Sequence, residues 1–165
     1  MDNTRKPNFL QQSVQQIAAL GPVAAVLAPL AHRLDRLVLR LSGGRTTAVG
    51  LLAGLPLITL TTIGAKSGQL RSVPLVGIPD GERLILVASN FGQSHHPAWY
   101  HNLAKNPHAA VTIDGAMRDY TAHEATDAEY ARCWQLAVSF YAGYAAYKAR
   151  TGGRQIPILV LTPTS

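Results

Sequence analysis

The strongest constraint on the fold is a series of short apolar segments separated by tight glycine and proline turns. These segments are rich in β-branched residues and too short for typical helices, so each predicts a strand. Between two of them, Pro79 and Gly81 form a turn signal, because proline presets φ and glycine accepts a positive φ. The predicted strands are 55–63, 71–78, 83–89, 109–113, 117–124 and 156–161. Long alternating βα units are missing from the sequence, so we expect a small, mostly antiparallel barrel with helices packed outside it rather than a Rossmann fold.

Helices are predicted on both sides of these strands. Thr126 and Glu129 match a capping box, in which the threonine hydroxyl and the glutamate carboxylate each cap the other's backbone amide. The predicted helices are 9–20, 23–41, 97–105 and about 126–147. We therefore expect an α+β fold in one domain, with an N-terminal helical segment over 1–41 and a barrel over 42–165.

Composition allows one compact domain and favours an anionic partner. The 165 residues are enough for one core and hardly enough for two. The 15 Lys and Arg against 9 Asp and Glu give a net charge of +6, which suits a phosphorylated cofactor, a nucleic acid or an acidic membrane surface. Cys133 is the single cysteine, so no internal disulfide is expected, and we interpret it as a small buried side chain. No signal peptide or spanning apolar run is recognisable, and we expect a cytoplasmic protein.

A glycine-bearing turn between the first two predicted strands is a candidate phosphate site. Gly64 and Gly68 allow a tight turn whose backbone amides face a ligand. Lys66 and Arg71 add positive charge, and Ser67 adds a hydroxyl. The turn is not a P-loop, because GxxxxGK[ST] is absent and the turn leads into a strand. A solvated basic hairpin explains the same residues, so the spacing alone leaves both interpretations open.

A polar loop over 90–96 leads into an aromatic-rich helix. Its adjacent histidines, His95 and His96, point in different directions, and no carboxylate lies at ligand spacing nearby, so we predict no metal site. Trp99 and Leu103 lie four residues apart, and they form either the buried side of the helix or part of a site.

Three tyrosines at the end of the last predicted helix are candidates for an acceptor pocket. Tyr141, Tyr144 and Tyr147 stand at i, i+3 and i+6, so on a continuous helix they share one broad face. Three tyrosines without a leucine are unusual for a core, because each buried phenol needs a hydrogen-bond partner. A core stripe and an amphipathic pocket wall both fit the pattern. No Ser-His-Asp triad, paired-acid motif or CxxC is recognisable.

Several stretches match one known family in the same order along the chain. They are 42–45, 60–69 with Arg71, 74–75, 87–89, 97–103, 106–107, the three tyrosines and 154–158. Together they resemble the deazaflavin-dependent nitroreductase family of actinobacteria, whose members include quinone reductases. The resemblance implies a split β-barrel and coenzyme F420 as the cofactor. It also implies a reductase that passes a hydride from reduced F420 to a quinone, nitro or activated-alkene acceptor.

The resemblance also implies roles for single residues. In the family, the glycine turn holds the cofactor's phosphate, the alanine–serine pair after the third strand borders the deazaflavin, and the tryptophan helix closes the site. The implied cofactor-binding residues are Lys66, Ser67, Gly68, Arg71, Pro74, Ala88, Ser89, Trp99 and Asn102. The tail tyrosines line the acceptor pocket in the family. We predict that hydroxyls donate hydrogen bonds to the acceptor, from Ser89, Tyr141, Tyr144 and Tyr147.

The chain departs from the family pattern at three positions, and two other functions stay open. Val73 stands where some relatives have asparagine, Val76 where they have an aromatic residue, and Asn90 where some have lysine. These differences bear on the acceptor rather than on the cofactor class. An FMN oxidoreductase on a related barrel and a non-catalytic binder of F420 or an apolar ligand are the alternatives. The basic residues are scattered, which disfavours a nucleic-acid-binding protein.

The 23–41 helix has two possible environments. Its leucine face lies opposite Arg33, Arg36 and Arg40, which is the make-up of an interfacial helix. It either packs on the barrel or lies on the inner face of the cell membrane, where a quinone substrate resides.

Overall fold

The computed structural model describes residues 55–164, so the predicted helices 9–20 and 23–41 lie outside the described residues. The strands are β1 Leu57–Ile63, β2 Leu70–Val76, β3 Ile78–Asp80, β4 Arg83–Val87, β5 His108–Ile113, β6 Ala116–Glu124 and β7 Ile158–Pro163. The helices are α1 Ala98–Lys105, α2 Asp127–Phe140 and α3 Gly143–Arg150, and a 3-10 turn covers Asn90–Gly92. No helix in this part of the chain is long and apolar enough to cross a membrane.

The strands form one curled, wholly antiparallel sheet in the order β2-β1-β5-β6-β7-β4-β3. β2 and β3 occupy opposite edges of this sheet although only Gly77 separates them in the chain. One residue can connect the two edges only if the sheet curls until they come close together. The sheet is therefore a half-barrel, and the predicted antiparallel α+β barrel is confirmed.

The predicted strand 71–78 is wrong in one respect, because it is two strands that meet at Gly77. The Gly77 amide donates a hydrogen bond to the Pro56 carbonyl at 3.0 Å. A Cβ atom at Gly77 would lie 2.8 Å from the Ile58 side chain, so glycine is what allows the chain to cross so close to β1.

Apolar side chains pack on both faces of the half-barrel. One cluster lies beneath α2 and α3 and includes Ile85 and Cys133, which is fully buried as predicted. The second lies beneath α1 and includes Leu60 and Leu86. Successive residues of β4 alternate between the two clusters, because neighbouring side chains of a strand point to opposite faces. β4 is therefore buried on both sides, and it carries the Ala88–Ser89 pair at its end.

The predicted capping box does not form. Thr126 is the N-cap of α2, but its side chain makes no capping hydrogen bond. Glu129 instead places one carboxylate oxygen 2.9 Å from His123 Nε2 and the other 3.6 Å from Arg83 Nη1. These partners lie on β6 and β4, the two strands that flank β7, and they connect the first turn of α2 to the sheet in place of the local cap.

Candidate functional site

The turn between β1 and β2 is exposed and closed by its own backbone. The Gly64 amide donates to the Gln69 carbonyl at 2.8 Å, and the Gly68 amide donates to the Gly64 carbonyl at 2.8 Å. Gly68 has a φ of +67°, in the left-handed region that favours glycine. Lys66 and Ser67 are exposed, and a side chain at Gly68 would meet nothing within 4 Å. The turn therefore leaves open space for an anion beside its backbone.

Helix α1 holds this turn through two side chains. Asn102, which is only 8% exposed, accepts a hydrogen bond from the Ala65 amide at 2.9 Å and donates one to Thr62 Oγ1 at 3.0 Å. Lys105 Nζ donates to the Ala65 carbonyl at 2.7 Å. Because both polar ends of the Asn102 amide are used inside the protein, its observed role is to fix the turn, and contact with a cofactor stays a prediction.

Three cations gather at the turn: Lys66, Arg71 and Lys105. Arg71 Nη2 donates to Gln69 Oε1 at 3.2 Å, and none of the three forms a salt bridge within residues 55–164. Positive charge without a counter-ion among the described residues favours an anionic ligand such as a phosphate. Sequence reasoning missed Lys105. Its spacing of three residues from Asn102 on one helix face was the available signal.

Two other predicted cofactor-binding residues lie apart from the turn. Pro74 is opposite Thr59 in the β1–β2 register, whereas Arg71 is opposite Thr62, so the two lie on different faces of β2. Trp99 is half-buried on α1 and packs against the core cluster beneath that helix. The structure thus groups Trp99 with α1 and leaves Pro74 outside the group at the turn.

The Ala88–Ser89 pair is buried where β4 ends. The Ala88 amide donates to the Pro157 carbonyl at 2.9 Å, and the Ser89 amide donates to the Val87 carbonyl at 2.8 Å. Ser89 is 8% exposed, and its hydroxyl makes no hydrogen bond to another residue in the described range. The hydroxyl is therefore available to a ligand. Arg154 donates hydrogen bonds to the Ala88 and Ser89 carbonyls, a role that sequence reasoning missed although a single arginine before a buried strand was visible.

The three tyrosines lie together, but not on one helix. The predicted helix over 126–147 is wrong, because it breaks after Phe140, and Tyr141 lies in the break. The ring of Tyr141 folds against Gly143, at a distance where any larger side chain would collide with it. A glycine here permits the fold-back that ends α2 and starts α3.

The tyrosines form a compact, buried aromatic cluster. Tyr141, Tyr144 and Tyr147 are 7%, 5% and 9% exposed, and their ring centroids lie 5.3–6.2 Å apart. The Tyr141 and Tyr147 hydroxyls are 3.2 Å apart, within hydrogen-bond distance. Burial raises the pKa of Tyr144 and of Tyr147 well above the usual phenol value, so both stay protonated at neutral pH. Neutral phenols in an apolar wall can donate hydrogen bonds, and their part in binding an acceptor stays a prediction.

The adjacent histidines differ in their surroundings. His95 is exposed, whereas His96 is half-buried and places its Nδ1 3.0 Å from Arg154 Nη1. An arginine can only donate, so this nitrogen of His96 accepts and the imidazole is neutral. Burial and the Arg154 charge lower the pKa of His96. Among the residues the structure describes, no group of three metal-ligating side chains is found.

The glycine turn and the Arg154-bound segment contact opposite ends of α1. Asn102 and Lys105 in its second half hold the turn, and His96 just before its start contacts Arg154. Five residues lie between His96 and Asn102, and the helical part of this span, from Ala98 to Asn102, rises by about 6 Å along the helix axis. An elongated ligand with a phosphate at one end suits this arrangement.

Known proteins match the chain over most of its length. The family model described as F420H(2)-dependent quinone reductase matches residues 32–163. An F420H(2)-dependent quinone reductase of Mycobacterium tuberculosis is 38% identical over 110 residues, which are 65% of this chain and 73% of that protein.

Solved structures agree with this match. An F420-H2 dependent reductase is 38% identical with a TM-score of 0.59, over 64% of this chain and 93% of that chain. Another structure, described as a domain-swapped dimer, is 32% identical with a TM-score of 0.60, over 86% of this chain and 99% of that chain.

Proposed function

The chain belongs to the F420H(2)-dependent quinone reductase family, and from this premise we propose that it transfers a hydride from reduced coenzyme F420 to a quinone. The family confirms the resemblance predicted from the ordered motifs. It also makes the protein an F420-dependent reductase with coenzyme F420 as its cofactor, as predicted. The FMN oxidoreductase and the non-catalytic binder find no support in this family.

The observation that carries the proposal is the open, basic turn at 64–69. The Ser67 hydroxyl and the cations Lys66, Arg71 and Lys105 lie at an exposed turn, where a Cβ atom at Gly68 would meet only open space. F420 carries a phosphate and a polyglutamate tail, and both are anionic. We propose that Lys66, Ser67, Gly68 and Arg71 bind the phosphate, and that Lys105 adds positive charge beside it.

When bound, reduced F420 supplies the hydride, so the protein's residues need only bind, orient and exclude water. We propose that the Ser89 hydroxyl, which has no hydrogen-bond partner in the described residues although Ser89 is only 8% exposed, donates a hydrogen bond at the hydride-transfer site. The tyrosine cluster supplies an apolar wall and protonated hydroxyls. Such a donor stabilises a carbonyl oxygen as negative charge develops on it.

Quinone is the acceptor that the family supports, and nitro compounds and activated alkenes are the wider set predicted from the sequence. Reduction of a quinone to a hydroquinone takes up one hydride and one proton, the pair that reduced F420 releases on its oxidation, so the protein need only place a neutral hydrogen-bond donor beside the carbonyl. This requirement agrees with a site that offers hydroxyls and no acid–base pair recognisable from the sequence.

Anaerobic mixing tests the proposal. Purified protein is mixed with reduced F420 and, separately, with a menaquinone analogue, a nitroimidazole and an enone, while oxidation of the cofactor is followed by its absorbance. The expected result is rapid oxidation with the quinone and none without an acceptor. Binding of reduced F420 without its oxidation by any acceptor would favour the non-catalytic binder. Turnover in a parallel mixture that contains reduced FMN in place of F420 would favour the FMN oxidoreductase.

We propose as a separate point that the segment 23–41, for which the sequence predicts a helix, brings the enzyme to an anionic membrane surface, where quinones reside. The proposal rests only on the leucine and arginine faces in the sequence, because this segment lies outside the described residues. Flotation with phosphatidylglycerol-containing liposomes tests it, with a chain starting at residue 42 as the control. Equal flotation of both chains, or of neither, would contradict it.

A further inference from the structure

The backbone that follows Ser89 is held in an unfavourable conformation. Asn90 has a φ of 47° and Phe91 a φ of 56°, so two consecutive residues with side chains lie in the left-handed region. Gly92 completes the turn with a φ of 78°, and a Cβ atom there would lie 2.9 Å from the Tyr147 carbonyl oxygen. Such a turn persists only where its surroundings impose it, and it is common at functional sites.

The Arg154 side chain contacts both ends of this turn from outside it. Its Nη2 donates to the Ser89 carbonyl at 2.8 Å, and its Nε donates to the Gln93 carbonyl at 3.0 Å. Its Nη1 lies 3.3 Å from the Ala88 carbonyl oxygen and 3.0 Å from His96 Nδ1. The guanidinium therefore hydrogen-bonds the backbone on both sides of the two left-handed residues. Its partners are backbone carbonyls and one imidazole, and none of its contacts in the described range is with a carboxylate.

We propose that Arg154 is a positioning residue for hydride transfer, which rests on the function proposed above. By holding the carbonyls of Ala88, Ser89 and Gln93, it keeps the strained turn closed and the Ser89 hydroxyl in its working position. Arg154 acts through Ser89 and needs no contact with substrate or cofactor itself. Only a guanidinium has donors spread over a rigid fork that can reach these separate acceptors at once, so lysine is not an equivalent.

This role predicts that Arg154 affects the turnover rate more than it affects the affinity for F420. The phosphate turn is held by Asn102 and Lys105 on α1, which make no contact with Arg154 in the hydrogen-bond network. In Arg154→Ala, kcat should fall at least about tenfold, since small misplacements of a site cost up to about a hundredfold in rate. The dissociation constant of F420 should change much less than kcat.

The experiment compares Arg154→Ala and Arg154→Lys with wild type, and Arg118→Ala on the exposed part of β6 is the control. F420 titration gives affinity, stopped-flow oxidation gives kcat, and amide hydrogen exchange of residues 88–93 reports the turn without bound cofactor. We expect fast exchange in this segment for both Arg154 variants. Guanidinium ion, below denaturing concentrations, should restore part of the kcat of Arg154→Ala but not that of Arg154→Lys.

Wild-type kcat in Arg154→Ala would overturn the inference, as would unchanged exchange at 88–93. If Arg154→Ala does not fold, Arg154→Lys retains the side-chain stem and charge, and normal turnover with this variant would also overturn the inference. Failure of the proposed function would give a different result, because wild type itself would not oxidise reduced F420. The exchange measurement would still test whether the Arg154 hydrogen bonds hold the turn.

Discussion

The glycine turn and the Ala88–Ser89 segment are held in opposite ways. The turn is exposed, and its own glycines and one adjacent helix set its shape. The Ser89 segment is buried, passes into two left-handed residues and depends on an arginine 65 residues away in the chain. If the first region binds the anion and the second serves hydride transfer, as proposed, then the two tasks depend on separately held segments. Substitutions in the first region should act on affinity, and those in the second on turnover.

The largest expected effect is that of Asn102→Ala, which removes the support of the turn. It leaves the Ala65 amide and the buried Thr62 hydroxyl without their partner, and each unpaired buried group costs about 1–3 kcal/mol. The free energy of unfolding should fall by about 2 kcal/mol or more in urea titrations, and F420 affinity should fall with it. Asn106→Ala is the matched control, because its side chain accepts only an exposed hydrogen bond from the His108 amide at 3.1 Å. Unchanged stability and affinity in Asn102→Ala would show that the turn holds its shape unaided.

The next effect is that of Arg71→Ala, which removes charge from the turn but not its support. A charge-assisted contact with phosphate contributes about 1.5–3 kcal/mol, so F420 affinity should weaken by about tenfold or more. The free energy of unfolding should stay close to that of wild type, because Arg71 is exposed and, within residues 55–164, its side chain hydrogen-bonds only the neighbouring Gln69. Arg118→Ala on β6 is the control for loss of one exposed arginine. Full affinity in a folded Arg71→Ala protein would place the phosphate elsewhere.

Local features of the sequence were enough to predict the first region. Strand, turn and strand around 64–69 follow one another in the sequence, and glycine and proline punctuate them, so neighbours along the chain determine the structure. The half-barrel followed from the same pattern. The prediction was wrong at Gly77, where one predicted strand is in fact two. The reason for the break is the close approach of the Ile58 side chain from β1, which the local sequence does not show.

The second region could not be predicted from local pattern, because distant residues decide it. The regular spacing of the tyrosines predicts a continuous helix, and the break at Tyr141 depends on how its ring packs against Gly143. Glu129 has the spacing of a capping residue but prefers His123 and Arg83 on other strands. Arg154 is visible in the sequence as a single arginine before the last predicted strand, but its neighbours along the chain do not indicate that it binds the loop after β4.

Removing one hydroxyl from the tyrosine cluster should have a smaller effect, and it tests whether the second region acts on turnover rather than on F420 affinity. Losing one hydroxyl donor to the acceptor should lower kcat by about tenfold, since a hydrogen bond of about 1.4 kcal/mol corresponds to that factor. F420 affinity should stay nearly intact. The measurement is kcat and F420 affinity for Tyr→Phe at 141, 144 and 147, compared with Tyr130→Phe, which loses only a 3.1 Å hydrogen bond to the Ile156 carbonyl. Full turnover in all three variants would exclude the tyrosine hydroxyls from the chemistry. A large loss of F420 affinity would instead place the tyrosines in the cofactor-binding site.

The smallest expected effect is a pH dependence confined to the second region. His96 is neutral where it meets Arg154, and burial, with the Arg154 charge second, lowers its pKa below the usual 6.5. His101 and His95 also oppose its protonation, while Glu124, whose carboxylate accepts a hydrogen bond from Tyr100, favours it.

Because the folded state resists this proton, the unfolded chain binds it first as the pH falls below 6.5, and the free energy of unfolding then decreases. Above that pH both states hold a neutral imidazole, so this group contributes no slope. Urea titrations across this range should show the decrease in wild type and in His108→Gln, whose histidine is exposed. His96→Gln, which keeps an acceptor for Arg154 but cannot titrate, should lose that part of the slope. Identical slopes in wild type and His96→Gln would mean that protonation does not loosen the contact between the two residues, and that the Ser89 segment is as insensitive to acid as the glycine turn.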